Sequence, residues 1–118
     1  MIDRSHTLTV TVDQDASGPA VLTISGELDH HTAPRLRQAL EGLPVGEGVM
    51  LDLRELAYCD SSGITVLVSA QQRAERANSS VALVGLDPDL VHHFRIIGLG
   101  DFFTFCSTVD EAVHFLRS

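Results

Sequence analysis

The chain opens on a strict alternation: from Thr7 to Val12, Leu8, Val10 and Val12 share one side and threonines the other. A period of two marks a strand with one solvated face, and this run predicts an edge strand. Asp15-Ala16-Ser17-Gly18-Pro19 reads as a turn. A second apolar run, Ala20 to Ile24, closes at Gly26, so the two strands form a hairpin with no helix between them.

The period changes at Thr32. Ala33, Leu36, Ala39, Leu40 and Leu43 share one helical face, Thr32 is placed to cap, and Pro34 suits the first turn. Gly42, Pro44, Gly46 and Gly48 end this helix, and Val49 to Leu53 predicts a strand continuing through Arg54-Glu55 to Cys59. Asp60 or Ser61 opens a second helix reaching about Ala77, whose stripe of Gly63, Val66, Leu67, Ala70, Ala74 and Ala77 faces the sheet. Val81 to Val84 is a short strand. Asp87-Pro88 starts a third helix with Leu90, Val91, Phe94 and Ile97 on one face and Gly98 as its stop. Phe102 to Cys106 forms a last strand, and Thr108-Val109-Asp110-Glu111 is a capping box for a final helix.

The resulting order, β-β-α-β-α-β-α-β-α, predicts one α/β domain over residues 1–118. Helical crossovers imply a mostly parallel sheet with an antiparallel first strand. Functional residues are then expected at the carboxyl ends of the parallel strands. Two segments converge there: Gly26-Glu27-Leu28-Asp29-His30-His31 and Asp60-Ser61-Ser62-Gly63.

Composition narrows the function. With 118 residues, 44% hydrophobic, the chain has room for one core and contains no apolar run near the roughly 20 residues needed to cross a bilayer. Residues 1–6 carry no secretory signal, and the cytoplasm is the expected location. Sixteen acidic residues against eight basic ones, all arginine, give a net charge of -8 that repels a phosphate backbone, so nucleic acid is not an expected partner. Cys59 and Cys106 lack a C-x-x-C spacing and read as buried thiols, with a redox pair as the weaker alternative. His30-His31 and His92-His93 offer no third ligand, and no metal or other cofactor is expected.

A serine where a strand meets a helix is either a cap or a modifiable hydroxyl beside the free N–H groups of the helix start, where negative charge is favoured. On the second helix Ile64 and Val68 fall off the sheet-facing stripe and form an apolar ridge beside Ser61 suited to protein docking, unless neighbouring elements cover them. The hydrolase pattern G-x-S-x-G is missing, as is a P-loop, so no catalytic residue is assigned. A phospho-aspartate receiver domain would begin β-α and need a late lysine, and the chain contains none.

Gly26-Glu27-Leu28-Asp29-His30-His31-Thr32-Ala33 and Asp60-Ser61-Ser62-Gly63-Ile64 together resemble the two signatures of the STAS domain, in the form found in bacterial anti-sigma factor antagonists of the sporulation type. The resemblance spans nearly the whole chain. It implies that Ser61 is a phosphoacceptor and that the chain is a switch and a substrate, not an enzyme. The implied partners are a GHKL-type anti-sigma factor serine kinase, released on phosphorylation so that the sigma factor is recaptured, and a PP2C-type phosphatase. It also places Glu27, Asp29 and His30 at the partner interface with Asp60, Ser61, Ser62, Gly63, Ile64 and Val68. Ile64 stands where leucine is commoner, and Thr65 where glycine often follows. A non-phosphorylated STAS scaffold, or a subunit of a lipid or anion transport system, is the alternative within the same fold.

Overall fold

Apolar alternation and helical stripes sort themselves, in a computed structural model describing residues 7–14 and 18–118, into a layered α/β domain. Residues 1–6, on which the expectation of no secretory signal rests, and the 15–17 part of the expected turn lie outside the described residues. The elements are β1 (Leu8–Gln14), β2 (Ala20–Leu28), α1 (Ala33–Glu41), β3 (Val49–Asp52), β4 (Leu56–Cys59), α2 (Ser61–Arg76), β5 (Val81–Val84), α3 (Pro88–Ile96), β6 (Thr104–Cys106) and α4 (Val109–Leu116).

The strands lie in the order β1-β2-β3-β5-β6, with β4 also paired to β2. β1 is the expected edge strand, antiparallel to β2 from Leu8↔Gly26 to Gln14↔Ala20, and every other pairing is parallel. The central strands β3 and β5 are buried along their whole length, as parallel strands covered on both faces must be. Leu22, Ile24, Leu51 and Leu83 point into a main core shared with α1, α2 and α3. Their neighbours Met50, Ala82 and Val84 point the other way and are covered by α4 through Ala112. Phe94 of α3, fully buried, packs against Phe103 and Phe105 at ring-centroid distances of 5.6 and 6.0 Å and so ties α3 to the β6 edge.

The single strand expected over 49–59 is in fact two strands. Asp52 Oδ1 accepts the backbone N–H of Arg54 at 3.2 Å, and both carboxylate oxygens hold the Arg54 guanidinium, at 2.9 and 2.6 Å. This local closure turns the chain out of the ladder at residues 53–55, an Asx-type turn of the kind that competes with sheet pairing. β2 bends to match: Gly26 has φ +98, its missing Cβ would lie 2.4 Å from the Thr7 carbonyl oxygen, and the pairing with β4 shifts register there. Two side chains also leave the faces assigned to them. Ala77 is exposed at the end of α2, and Ile97 is 47% exposed because the chain reverses at Gly98 and Leu99 folds back against the core instead.

The first turn of α2 rests directly on the sheet. A Cβ on Gly63 would lie 2.6 Å from Leu28 Cγ and 2.9 Å from Cys59 Sγ, closer than real side chains approach. Gly63→Ala is therefore expected to destabilise the domain. Overpacking costs up to about 3 kcal/mol, and the better helix propensity of alanine recovers about 1 kcal/mol of it. The check is a urea midpoint lowered at unchanged slope; a midpoint equal to that of the wild type would show that the contact relaxes freely. A second expectation concerns the Asp52–Arg54 pair, in which the side-chain hydrogen bond from Arg54 holds the Asp52 carboxyl below its ordinary value of 3.8 against the opposing effect of burial. A depressed folded-state pKa contributes stability above the unfolded value and loses it as pH falls through the folded one. Asp52→Asn should accordingly be less stable than wild type at pH 7 and lose less stability between pH 7 and pH 3, as read from urea midpoints at the two pH values.

Candidate functional site at the ends of β2 and β4

β2 and β4 run parallel and finish together at Leu28↔Cys59, and the Asp60 N–H still bonds to the Leu28 carbonyl at 3.1 Å. The chain then stays extended at Asp60 (φ -99, ψ -174) and enters α2. The helix start resolves the choice between the two candidate caps. Asp60 Oδ1 accepts the N–H groups of Ser62 at 2.9 Å and Gly63 at 3.2 Å, so the aspartate is the cap. Ser61 is released from that duty. It is exposed, and among the described residues nothing takes its hydroxyl as a hydrogen-bond partner. The neighbouring Thr65 hydroxyl folds back onto the Ser61 carbonyl at 2.9 Å, which holds the first turn without touching the Ser61 side chain.

The companion loop is organised from inside. Asp29 is only 7% exposed, and its Oδ1 accepts the N–H groups of His31 at 2.9 Å and Thr32 at 3.1 Å. Thr32 is the N-cap residue of α1 by position, yet its side chain does not cap. Its Oγ1 donates to the Glu27 carbonyl at 2.8 Å and accepts the Asp29 N–H at 2.9 Å. Asp29 and Thr32 thus knot the end of β2 to the start of α1 and present His30 and His31, both exposed with ring centroids 4.4 Å apart, at the tip.

The expected site residues divide by what they do. Glu27, His30, Asp60, Ser61, Ser62 and Val68 reach the surface wholly or in part: Glu27 and His30 at the end of β2, Asp60 to Ser62 at the end of β4, and Val68 about two turns further along α2. Asp29 is a correction: its carboxylate faces inward and positions the loop, because backbone N–H groups claim it. Ile64 is a second correction. At 6% exposure it belongs to the main core, on a helix that packs against both the sheet and α1. The apolar ridge next to Ser61 is reduced to Val68, itself packed against the core. Gly63 acts through its close approach to Leu28.

One surface residue escapes the sequence reading, and a second, Thr65, enters it only as a departure from the motif. Tyr58 is 50% exposed opposite Glu27, because the register shift in the β2–β4 ladder puts both Ala57 and Tyr58 outside between buried Leu56 and Cys59. Nothing in the run Leu56-Ala57-Tyr58-Cys59 signals the shift. Thr65 does carry a signal, lying four residues after Ser61 at the spacing for a side-chain bond to the preceding turn.

Both cysteines are free and buried. Burial, with the Asp60 charge adding to it, pushes the Cys59 thiol up to about 12, and Cys106 is raised by burial and by Glu111. Cys59 lies in the main core and Cys106 in the α4 cluster on the opposite sheet face, with β5 between β6 and the β3–β4 column. That separation is roughly two strand spacings of about 4.8 Å, beyond the reach of a disulfide. Among the described residues no group of His, Cys, Asp or Glu side chains is arranged to hold a metal ion, and no helix is long and apolar enough to cross a membrane.

Comparison with known proteins accords with this geometry. The anti-sigma-B factor antagonist of Listeria monocytogenes is 41% identical over 80 residues, covering 66% of this chain and 70% of that protein. An anti-sigma factor antagonist from Mycobacterium paratuberculosis superposes with a TM-score of 0.82 at 24% identity, covering 95% of this chain and 96% of that one. The Bacillus cell fate determinant SpoIIAA in its phosphorylated form superposes with a TM-score of 0.70 at 22% identity, covering 92% and 100%. At those identities the two structures speak to the fold alone. The family model for the STAS domain matches residues 8–112, from the edge strand to the last helix, and the chain therefore belongs to the STAS domain family.

Proposed function

We propose that this protein is an anti-sigma factor antagonist switched at Ser61. In the unmodified state it binds an anti-sigma factor serine kinase of the GHKL type through Ser61, Ser62, Val68 and the Glu27–His30 loop, and a sigma factor is freed. Phosphorylation of Ser61 ends the complex, and a PP2C-type phosphatase restores it. The domain contributes a hydroxyl and a surface, and the partner contributes the catalysis. The reading draws support from the relative named anti-sigma-B factor antagonist.

The observation that carries the reading is the exposed, unpartnered Ser61 hydroxyl on a helix start already capped by Asp60. A phosphate there would add about -1.5 to -2 charges at pH 7. The Ser62 and Gly63 N–H groups that would ordinarily welcome it are held by the Asp60 carboxylate. Its charge therefore remains at the surface beside another negative group, while the caps and core contacts of α2 stay as they are. Modification acts on the partner by repulsion and steric block, without refolding the domain.

The test is incubation with Mg-ATP and each anti-sigma kinase of the source organism, read by intact mass and peptide mapping. A single acid-stable phosphate on Ser61 is the expected result. Ser61→Ala should bind the same kinase and stay unmodified, and Ser61→Asp should bind it about tenfold more weakly or worse, given how like charge acts across an interface. Phosphate at another residue, with Ser61→Asp binding as wild type, would overturn the assignment. A stable complex with no modification would favour a phosphorylation-independent binding module.

A further inference from the structure

At the far end of α2 from Ser61, a cleft of about 210 Å³ opens between α1, the C-terminal half of α2 and the start of β3. Arg73 and Arg76 lie there, about 20 Å along the helix at 1.5 Å per residue. The floor is apolar, made by Leu40, Val66 and Ala70, each at most 8% exposed. The rim carries Arg37, Arg73 and Arg76 against one carboxylate, Glu41. Three of the chain's eight basic residues thus gather at one concavity of a protein whose net charge is -8.

The arginines are not equivalent. The Arg73 guanidinium is tied to the end of α1, bonding to the Leu40 carbonyl and, at 2.9 Å, to that of Leu43 just beyond the helix. It fixes the cleft wall. Arg37 and Arg76 are exposed and, among the described residues, have no hydrogen-bond or ion-pair partner. Two uncommitted forked donors above an apolar floor define a ligand by chemistry: a carboxylate head and an apolar body. Glu41 on the same rim disfavours multiply charged anions, and a small, wholly polar anion would leave the floor uncovered. The volume lies below the range of about 300–1,000 Å³ for drug-sized ligands, which suits a small molecule.

We propose that this cleft binds a small monocarboxylate with an apolar body, seated on Leu40, Val66 and Ala70 and held at the rim by Arg37 and Arg76. The test of this site needs no kinase. Amide shifts of the full chain would be followed by two-dimensional NMR during titration with octanoate, with octanol and acetate as controls. The expected result is saturable octanoate binding with shifts concentrated in residues 37–45 and 66–76, about tenfold weaker binding of octanol, and no saturation by acetate. The variant Arg37→Gln/Arg76→Gln, altered only at exposed positions, should keep the wild-type spectrum elsewhere and bind octanoate about tenfold more weakly. Equal affinity for octanol, an unchanged affinity of the double variant, shifts centred elsewhere or a lack of saturation would each overturn the proposal.

Discussion

The contact between Gly63 and the ends of β2 and β4 is the constraint on which the rest of the site depends. With no side chain at Gly63, the first turn of α2 settles onto Leu28 and Cys59, and a Cβ there would lie 2.6 Å from Leu28 Cγ. Seated so low, the helix start brings its free N–H groups to Asp60, whose carboxylate takes those of Ser62 and Gly63. Only because Asp60 performs the capping is Ser61 left outward and unbonded. A packing contact in the core thereby sets the chemistry available at the surface.

The carboxylates of the site share this division of labour. Asp29 and Asp60 stand at equivalent places, each just past a parallel strand and each accepting two backbone N–H groups. Asp29 is buried and shapes the loop; Asp60 is half-buried and shapes the helix start. A buried or half-buried carboxylate that accepts two backbone N–H groups is costly to remove, because the donors would be left unsatisfied. Such residues hold a surface in shape and leave their neighbours exposed on it: Ser61, the imidazoles of His30 and His31, and the Tyr58 ring opposite Glu27.

The proposed monocarboxylate cleft lies at the other end of the same helix and uses arginine where the Ser61 end uses aspartate. α2 thus carries a carboxylate at its N-terminus and Arg73 and Arg76 in its last turn, in accord with the helix dipole at both ends. Arg73 also serves the end of α1, where it bonds to the carbonyls of Leu40 and Leu43. One helix therefore separates a carboxylate-capped end from a positively biased concavity.

Much of this was legible in the chain itself. Strict alternation in β1, the 3.6-residue spacing of α1 and the Asp87-Pro88 and Thr108 starts of α3 and α4 are local signals, decided by backbone hydrogen bonding and by which face must be buried. The two glycine-containing segments at the strand ends were legible for the same reason, since few residue types satisfy such turns. Other features belong to the tertiary structure. The register shift that exposes Tyr58, the burial of Ile64 in the main core and the inward turn of Asp29 each depend on a partner distant in sequence or on competition among several donors, whereas the break of the 49–59 strand rests on the local Asp52–Arg54 bonds. Sequence periodicity determines which face of an element is apolar; how wide that face must be, and which polar group is left over for function, is decided only when neighbouring elements pack against it and claim their hydrogen bonds.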